Sequence, residues 1–354
     1  MPHSKIAGIG FYVPDWVVTN DDLSKVMDTS DEWIQERTGI KERRYGQRQK
    51  ETTSTMGTAA AKIAIERAGI TPEDIDFIIF ATLSPDYYFP GSGVLLQRQL
   101  GIKNCGCLDI RNQCSGFVYG LSIADQFVKS GMYKNVLMVG AEMHSAGLDF
   151  STKGRTVTAI FGDGGGAVVV QPTEDENEAI LTTHLHADGE YAEQLAFYNM
   201  GTHGGAFLDG KHDHAYPEEL PEFGGIVMTK EMVETEEIYP YMNGRYVFKF
   251  AVTKFPEVIR EACDTVGVDV QDIDMLIPHQ ANLRIAQMVQ LGLKLPNEKV
   301  YNNIQKYGNT TAASIPIALC EAWEQGKIKK GDLVCLAAFG SGFTWGSALL
   351  RWAI

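Results

Sequence analysis

The hydrophobic residues of this chain recur with helical spacing directly after a short apolar segment. Residues 105–110, CGCLDI, are mostly apolar, as in a buried strand, and Gly131 marks the end of the pattern that follows. Between them, apolar residues lie on one predicted helical face, at Phe117, Leu121, Ala124 and Val128. The pattern predicts a strand and then a helix whose first turn carries Cys114.

Two interpretations of Cys114 are open from this segment alone. A lone cysteine in apolar sequence is usually a small residue of the core. A helix N-terminus, in contrast, offers unpaired N–H groups and about half a positive charge, which favour the nucleophilic thiolate over the thiol. The rest of the chain must decide between a core residue and a nucleophile.

The chain contains an internal repeat. Residues 60–82 and 256–280 both show an amphipathic helix, a glycine-containing turn, a D-I-D tripeptide and an apolar strand, and the two tripeptides are offset by 198 residues. KNVLMVGAEM at 134–143 pairs with GDLVCLAAFG at 331–340. Alternating helices and strands predict an α/β fold with a mostly parallel sheet. The duplication predicts two similar halves packed together, which we place at residues 1–173 and 174–354.

Polar residues follow the predicted strands of both halves. Cys114 follows a strand in the first half, and we expect Thr311 to hold the equivalent place in the second. His279 follows the strand of the repeated unit. Because ligands gather outside the carboxyl ends of strands in α/β sheets, we expect these three residues to meet at one pseudo-symmetric centre.

Composition and charge narrow the function classes. The 354 residues are 44% hydrophobic and 21% charged, as in soluble globular proteins. No apolar run reaches the ~18 residues of a membrane span, and the N-terminal residues 1–14 lack the apolar core of a secretory signal, so we expect a cytoplasmic protein without membrane contact. The net charge of −14 argues against nucleic-acid binding. An anionic substrate would need locally clustered basic residues.

The cysteines and histidines predict neither a disulfide framework nor a metal site. Six cysteines are too few for such a framework in a chain of this size, and the C-x-C at 105–107 has no second pair at metal-ligand spacing. The H-x-H pairs at 184–186 and 212–214 lack a further ligand motif, so we expect solvated or structural histidines. The glycines of FGDGGGA at 161–167 lack the spacing of a phosphate-binding loop and predict a structural turn.

Several motifs together resemble one known family. They are TSDEWIQERTGIKERR (29–44), the Cys114 segment, IFGDGGGA (160–167), LIPHQANLRI (276–285), YGNTTAAS (307–314) and FGSGFTWGSAL (339–349). Over nearly its whole length the chain resembles the β-ketoacyl-acyl-carrier-protein synthases III, condensing enzymes of the thiolase superfamily. The resemblance implies an α/β, duplicated thiolase-like fold with two similar halves in a layered αβαβα arrangement.

The resemblance implies a catalytic Cys-His-Asn set at Cys114, His279 and Asn309. Cys114 would attack an acyl-CoA primer and keep the acyl group. Malonyl-acyl-carrier protein would then lose carbon dioxide, and His279 and Asn309 would donate hydrogen bonds to the resulting enolate. The backbone N–H groups of Cys114 and Ser341 would form the oxyanion hole, although many relatives have glycine at the position of Ser341. Acyl-CoA is a substrate, and no cofactor is expected.

Binding residues are implied in the same way. Trp33 and Arg155 match the pair that sandwiches the adenine of CoA, Arg37 matches a phosphate contact, and Asn282 and Gly244 match positions along the pantetheine channel. Lys249 and Arg284 match the basic residues on which the acidic carrier protein docks. For each lysine or arginine, a solvated surface charge is the alternative.

The acyl pocket and the quaternary structure are also implied by the resemblance. Phe89 matches a phenylalanine that crosses a homodimer interface to close the acyl pocket of the partner, and Ile160 and Phe161 would line the same pocket. Large apolar residues such as these are more often plain core.

One segment departs from the short members of the family. Between residues 196 and 241 the chain carries about thirty additional residues, and a long irregular insertion is usually functional or disordered. Its position makes a cap over the CoA channel an attractive hypothesis.

The resemblance favours a decarboxylating condensation that initiates fatty-acid synthesis. The alternatives are the same chemistry with a specialised primer in a secondary lipid or polyketide-like pathway and, in another class, a non-catalytic acyl-CoA-binding protein. A thiolase is disfavoured because FGSGFTWG lacks a second cysteine, and a hydroxymethylglutaryl-type synthase is disfavoured because LSPDYYFP (83–90) offers only Asp86 for the required glutamate.

Overall fold

The computed structural model describes residues 3–197 and 238–354. The strands are β1 His3–Tyr12, β2 Val17–Thr19, β3 Glu42–Arg44, β4 Phe77–Ala81, β5 Gly106–Ile110, β6 Val136–Glu142, β7 Gly164–Thr173, β8 Ile180–Ala187, β9 Leu195–Ala196, β10 Tyr241–Met242, β11 Met275–Pro278, β12 Leu333–Gly340 and β13 Thr344–Arg351. The helices are α1 Asn20–Ser24, α2 Asp31–Thr38, α3 Thr53–Arg67, α4 Ser92–Leu100, α5 Gly116–Lys129, α6 Arg155–Thr158, α7 Gly244–Val266, α8 Leu283–Leu293, α9 Ile304–Tyr307 and α10 Ser314–Glu324.

Two mixed sheets repeat one strand order. The first runs β1-β7-β6-β4-β5 and the second runs β8-β13-β12-β11. In place of a counterpart to β5, Val300 forms an isolated parallel bridge with Leu276 of β11. The predicted duplication is therefore present in the topology. Strands of the first sheet lie within residues 3–173 and strands of the second within residues 180–351. The domain boundary at residue 173 stays a prediction.

The sheets are less parallel than the helix–strand alternation predicted. β4 pairs in parallel with β5 and β6, and β11 with β12, whereas β7 and β13 run antiparallel to both of their neighbours. The connection between β12 and β13 is only residues 341–343, and the connection between β6 and β7 holds no helix longer than four residues. The connection at 341–343 requires antiparallel pairing, since a parallel crossover needs a dozen residues or more, whereas the connection at 143–163 is long enough for a crossover but lacks the long helix that usually forms one.

Helices and sheets alternate in five layers. α3 packs on the outer face of the first sheet, α5 and α10 lie between the sheets, and α7 covers the outer face of the second sheet beside α8. The predicted apolar face of α5 is in the central layer, where Phe117, Leu121, Ala124 and Val128 are each at most 1% exposed. The layered αβαβα expectation is confirmed.

The halves interlock at two short turns. The turn Gln113–Ser115 precedes α5 and packs against β12 of the second half, whereas the turn Thr311–Ala313 precedes α10 and packs against β6 of the first. Gly340 of β12 faces Cys114, and Gly140 of β6 faces Ala312. Each turn is therefore supported by a strand of the opposite half.

Most of the additional segment lies outside the described residues. Of the predicted insertion at 196–241, the structure describes residues 196–197 and 238–241, and its proposed role as a cap stays a prediction. At its two ends β9 and β10 pair antiparallel. Across the described ranges, no helix is both long and apolar enough to cross a membrane.

Candidate active site

A cavity of about 740 Å³ lies beside the turn that carries Cys114. Residues of both halves line it, including Cys114 and His144 from the first half and Thr311 and Ser341 from the second. Phe161 forms part of the apolar wall. Of the three residues predicted to meet, Cys114 and Thr311 line this cavity, whereas His279 is not among its lining residues.

Cys114 lies in a tightly enclosed position. The preceding residue, Gln113, has a left-handed backbone with φ of 45°, and Cys114 itself is 7% exposed. A Cβ atom on Gly340 would come within 2.4 Å of the Cys114 Cβ, so only glycine lets the two backbones approach. The backbone N–H groups of Ser341 and of Cys114 lie close enough to the sulfur to favour its charged form and so to lower its pKa.

The protonation state of Cys114 differs from the thiolate that the sequence predicted. Burial raises its pKa to about 12 and the nearby Glu142 carboxyl adds to the rise, while the two backbone N–H bonds lower it. The expected preference for thiolate at the helix N-terminus is therefore outweighed by loss of hydration. The enclosed cysteine is a protonated thiol at neutral pH, with two donors already directed at its sulfur.

His279 follows β11 directly and is 3% exposed. Its backbone N–H donates to Ala337 of β12, and its Nδ1 lies 2.6 Å from the hydroxyl of Ser314. The other ring nitrogen, Nε2, is buried and has no hydrogen-bond partner among the described residues. Burial lowers the pKa of His279 to about 3, so the imidazole is neutral. An unpaired neutral ring nitrogen is suited to meet a substrate oxygen.

Asn309 is held by a strand-like bridge and by its own side chain. Its backbone N–H donates to the Ile160 carbonyl at 2.8 Å, and its carbonyl accepts from Gly162 at 3.0 Å. The side-chain Oδ1 accepts the Thr311 N–H at 2.8 Å, which leaves the NH₂ group as a donor. The preceding Gly308 has φ of 64° and its Cβ would come within 2.7 Å of the Ile160 carbonyl oxygen, so the bend before Asn309 requires glycine.

The predicted equivalence of Thr311 and Cys114 is wrong by one residue. Thr311 begins its turn with φ of 48°, as Gln113 does with φ of 45°, so Thr311 corresponds to Gln113 and Ala312 corresponds to Cys114. Both pairs keep the offset of 198 residues that relates the D-I-D tripeptides. Thr311 still reaches the cavity, but as the partner of a histidine.

That histidine, His144, was not predicted from the sequence. Its Nε2 lies 2.7 Å from the Thr311 hydroxyl, and its ring packs 4.6 Å from the ring of Phe161. Burial, and then the neighbouring His279, lower its pKa to about 3. A single histidine in AEMHSAG carries no motif, so only the fold brings it to the cavity wall.

Glu142, at the end of β6, was also missed. Its carboxylate accepts hydrogen bonds from Thr82, Leu83 and Ser84, and burial raises its pKa to about 7. It lies near enough to Cys114 to raise the pKa of the thiol. Sequence gave no signal for it, because a glutamate ending a strand is common.

The residues matched to CoA binding form a group at the surface. The Arg37 guanidinium lies 4.5 Å from the centre of the Trp33 ring and that of Arg155 lies 5.2 Å from it. Asn282 caps α8 and donates to the Arg37 carbonyl at 2.9 Å. Gly244, the first residue of α7, follows Met242, which belongs to the same apolar cluster as Trp33.

Arg155 contacts Trp33 directly, in the space where the adenine of CoA was predicted to lie between them. At 5.2 Å the guanidinium already stacks on the indole, and it also donates to Asp28. A base between the two side chains requires Arg155 to move away from Trp33.

The remaining predicted residues are more dispersed. Lys249 on α7 and Arg284 on α8 are exposed on two helices that pack together. Phe161 lines the cavity, whereas the Ile160 side chain is buried in the apolar cluster around Ile34 and contributes only its carbonyl. Phe89 is 81% exposed and does not line the cavity of its own chain, although Tyr87 and Tyr88 do.

The H-x-H pair at 184–186 is structural. Both histidines pair with Glu261 of α7, at 3.2 Å for His184 and 2.6 Å for His186, and His186 stacks on Trp345. Within the described ranges, no three His, Cys, Asp or Glu side chains converge where a metal ion could bind. The second pair, at 212–214, lies outside the described residues.

Two sequence models of one family match this chain. The model described as 3-oxoacyl-[acyl-carrier-protein] synthase III matches residues 108–189, around the nucleophile candidate, and the model of its C-terminal part matches residues 263–352. The β-ketoacyl-[acyl-carrier-protein] synthase III of Aquifex aeolicus is 45% identical over 349 residues, which are 99% of each chain. This relative is about as long as the present chain. A segment at 196–241 is therefore not peculiar to the present chain.

Solved structures agree with the sequence comparison. The crystal structure of the Aquifex aeolicus synthase superposes with a TM-score of 0.85 over 99% of this chain and 100% of that one. A priming β-ketosynthase from the R1128 polyketide biosynthetic pathway, 30% identical, superposes with a TM-score of 0.84 over 99% of this chain and 97% of that one. The chain therefore belongs to the β-ketoacyl-[acyl-carrier-protein] synthase III family, the condensing enzymes that initiate fatty-acid synthesis from an acyl primer and malonyl-acyl-carrier protein.

Proposed function

We propose that Cys114, His279 and Asn309 carry out the two half-reactions of this condensation. The observation that supports this assignment most directly is the pair of backbone N–H groups, of Cys114 and Ser341, that converge on the Cys114 sulfur. Donors at this point can stabilise both the thiolate and the oxyanion that forms when a thioester carbonyl binds there.

In the first half-reaction, the Cys114 sulfur attacks the carbonyl of an acyl-CoA. The bond between the carbonyl carbon and the CoA sulfur breaks, the acyl group stays on Cys114, and the thiol proton leaves with the CoA thiolate. Because the pKa of Cys114 is about 12, forming the thiolate is the demanding part of this step. The N–H groups of Cys114 and Ser341 hold the carbonyl oxygen while it bears charge.

In the second half-reaction, malonyl-acyl-carrier protein loses carbon dioxide and leaves an enolate. His279 Nε2 and the Asn309 NH₂ donate hydrogen bonds to the enolate oxygen, and both groups are neutral, so they stabilise charge only as it develops. The carbanion carbon attacks the acyl-cysteine, and the thiolate that leaves takes up a proton. The product is a β-ketoacyl-acyl-carrier protein.

The substrates enter through the surface group around Trp33. We assign the adenine of CoA to Trp33 with Arg155, its phosphates to Arg37, and the pantetheine arm to the passage between Gly244 and Asn282. Arg37 and Arg155 are the cations that this group offers to an anionic ligand on a chain of net charge −14, and a bound phosphate would compete with the carboxylates that they now contact, Glu36 and Asp28. Lys249 and Arg284 would receive the acidic carrier protein. The reaction requires no resident cofactor.

The acyl group of the primer is assigned to the cavity beside Cys114 and Phe161. We further assign the exposed Phe89 to the same cavity of a second subunit, so that the working enzyme is a homodimer. Three neighbouring aromatic residues, Tyr87, Tyr88 and Phe89, are 58%, 48% and 81% exposed in the single chain, and such a group is costly to leave in water. Because its substrates are acyl-CoA and carrier protein, we place the enzyme in the cytoplasm.

The proposal is tested by intact-protein mass spectrometry after exposure to a panel of acyl-CoAs of different chain lengths. The wild-type chain should gain the mass of one acyl group, and Cys114→Ala should gain none. Cys105→Ala and Cys320→Ala are matched controls and should acylate normally. Acylation of the Cys114→Ala variant would contradict the assignment of the nucleophile. The chain length that loads fastest identifies the primer.

A further inference from the structure

One ring nitrogen of His279 is paired and the other is not. Nδ1 lies 2.6 Å from the Ser314 hydroxyl, whereas Nε2 is buried and unpaired among the described residues. A neutral imidazole carries one proton, on one nitrogen or the other. Whether His279 can donate to the substrate enolate therefore depends on which nitrogen holds that proton.

The surroundings of Ser314 direct its hydroxyl proton. The Ser314 oxygen receives the backbone N–H of Gln280 at 3.4 Å, a long contact that approaches the oxygen as a donor. In the described part of the chain, the hydroxyl has no other recorded acceptor than His279 Nδ1. The buried hydroxyl hydrogen needs an acceptor, and Nδ1 is the one that the described residues offer, so the hydroxyl donates and Nδ1 accepts. The ring proton then resides on Nε2.

Both ends of the helix that carries Ser314 are fixed. Ser314 is the first residue of α10 and is 2% exposed. Near the other end, Glu321 accepts hydrogen bonds from Tyr301, Asn303, Lys306 and Tyr307. These residues lead into Gly308 and Asn309. Helix α10 therefore supports both His279, through Ser314, and Asn309, through Glu321.

We propose that Ser314 is a positioning residue that fixes His279 as the Nε2–H tautomer and so makes it a donor to the enolate. This inference rests on the proposed role of His279. Ser314 does not touch the reacting atoms and acts only through the imidazole. Its contribution should appear where the enolate forms and not where Cys114 is acylated, because the acylation step uses the backbone donors of Cys114 and Ser341.

The test separates the two half-reactions in Ser314→Ala. We expect acyl transfer from acyl-CoA to Cys114 at the wild-type rate, and decarboxylation of malonyl-acyl-carrier protein slowed about 10- to 100-fold, less than the ~10²- to 10³-fold cost of losing such a donor altogether, because the imidazole itself remains. The loss should lie in kcat with little change in KM. Ser347→Ala is the matched control, since it removes another buried serine hydroxyl, bonded to the Val258 carbonyl at 2.8 Å, and should leave both rates unchanged.

A spectroscopic measurement on the wild-type enzyme makes the test independent of whether the variant folds. In protein labelled with ¹⁵N-histidine, the His279 signals are those missing from His279→Asn. The proposal requires the proton-bearing nitrogen to be Nε2. A proton on Nδ1, a normal decarboxylation rate in Ser314→Ala, or an equal loss in both half-reactions would overturn it. Failure of the wild-type enzyme to acylate at Cys114 would instead overturn the proposed function, so the two failures are distinguishable.

Discussion

Gln113 and Thr311 adopt the same left-handed backbone conformation, with φ of 45° and 48°, at corresponding turns of the two halves. Such angles are uncommon outside glycine. One turn is followed by the nucleophile candidate, Cys114, and the other by Ala312, while Thr311 itself binds His144 and holds Asn309. The two halves thus use the same backbone turn for different purposes.

The donors to the enolate should be separable from the nucleophile. His279→Ala and Asn309→Ala should leave acylation of Cys114 largely intact and slow malonyl decarboxylation by about 10²- to 10³-fold, the usual cost of one such donor. Single-turnover acylation and release of carbon dioxide measure the two steps. Equal loss of both would instead make His279 an obligatory base for the thiol.

Acylation should accelerate as the pH rises. Because the pKa of Cys114 is about 12, the thiolate fraction grows about tenfold per pH unit between pH 7 and 9, and single-turnover acylation should follow it. Glu142→Gln removes a charge that raises this pKa, so it should acylate faster at a given pH. Asp109→Asn alters a carboxyl that acts on Cys107 and serves as control. A rate independent of pH over this range would show that the free thiolate is not the limiting species.

Stacking on Trp33 should matter only for substrates that contain the nucleotide. Trp33→Ala should raise the KM for acyl-CoA about tenfold, since stacking of a base on an aromatic side chain contributes about 1–3 kcal/mol. With an acyl-pantetheine, the same variant should match wild type. Trp16→Ala removes another exposed indole, 54% exposed beside Tyr45, and should change neither KM. An equal effect on both substrates would place the base elsewhere.

Charge reversal should expose the docking surface of the carrier protein. Lys249→Glu/Arg284→Glu should raise the KM for malonyl-acyl-carrier protein and weaken its dependence on salt, because exposed charges are screened over ~8–10 Å at ordinary ionic strength. Acylation by acyl-CoA should hardly change. Lys62→Glu/Lys103→Glu makes the same charge change at exposed positions on α3 and after α4. If both double variants raised the KM for malonyl-acyl-carrier protein to the same extent, the effect would come from the net charge of the enzyme and not from a docking surface at Lys249 and Arg284.

The close approach of Gly340 to the nucleophile should tolerate no side chain. Gly340→Ala places a Cβ within 2.4 Å of the Cys114 Cβ, so the cysteine turn must shift and acylation should fall by 10²-fold or more, since misplacement by ~1 Å has that cost. Gly189→Ala meets no atom within 4 Å and is the control. Normal acylation by Gly340→Ala would mean that the turn is free to move.

Repeating patterns in the sequence predicted much of the fold, whereas no pattern predicted several of the site residues. The D-I-D repeat and the apolar face of α5 predicted the halves and the central helix, because periodicity reports burial directly. The antiparallel placement of β7 and β13 escaped prediction, because the pattern of strands and helices does not show how each connection returns the chain to the sheet. His144 and Glu142 lie in no motif, and Ser314 ends the motif YGNTTAAS without a role that the motif itself reveals. All three reach the site only because strands and turns of opposite halves meet. The expectation that Cys114 would favour the thiolate was wrong for a related reason. Burial raises its pKa, and burial is a property of the whole fold.

The interlocking of the two turns constrains how this enzyme can move. A hinge between the halves would pull Cys114 away from β12 and Ala312 away from β6, and so dismantle the site with each opening. Catalysis by domain closure is therefore not available to this architecture. Reactants must instead be delivered to a centre that stays assembled, which suits substrates presented at the tip of a long and slender arm.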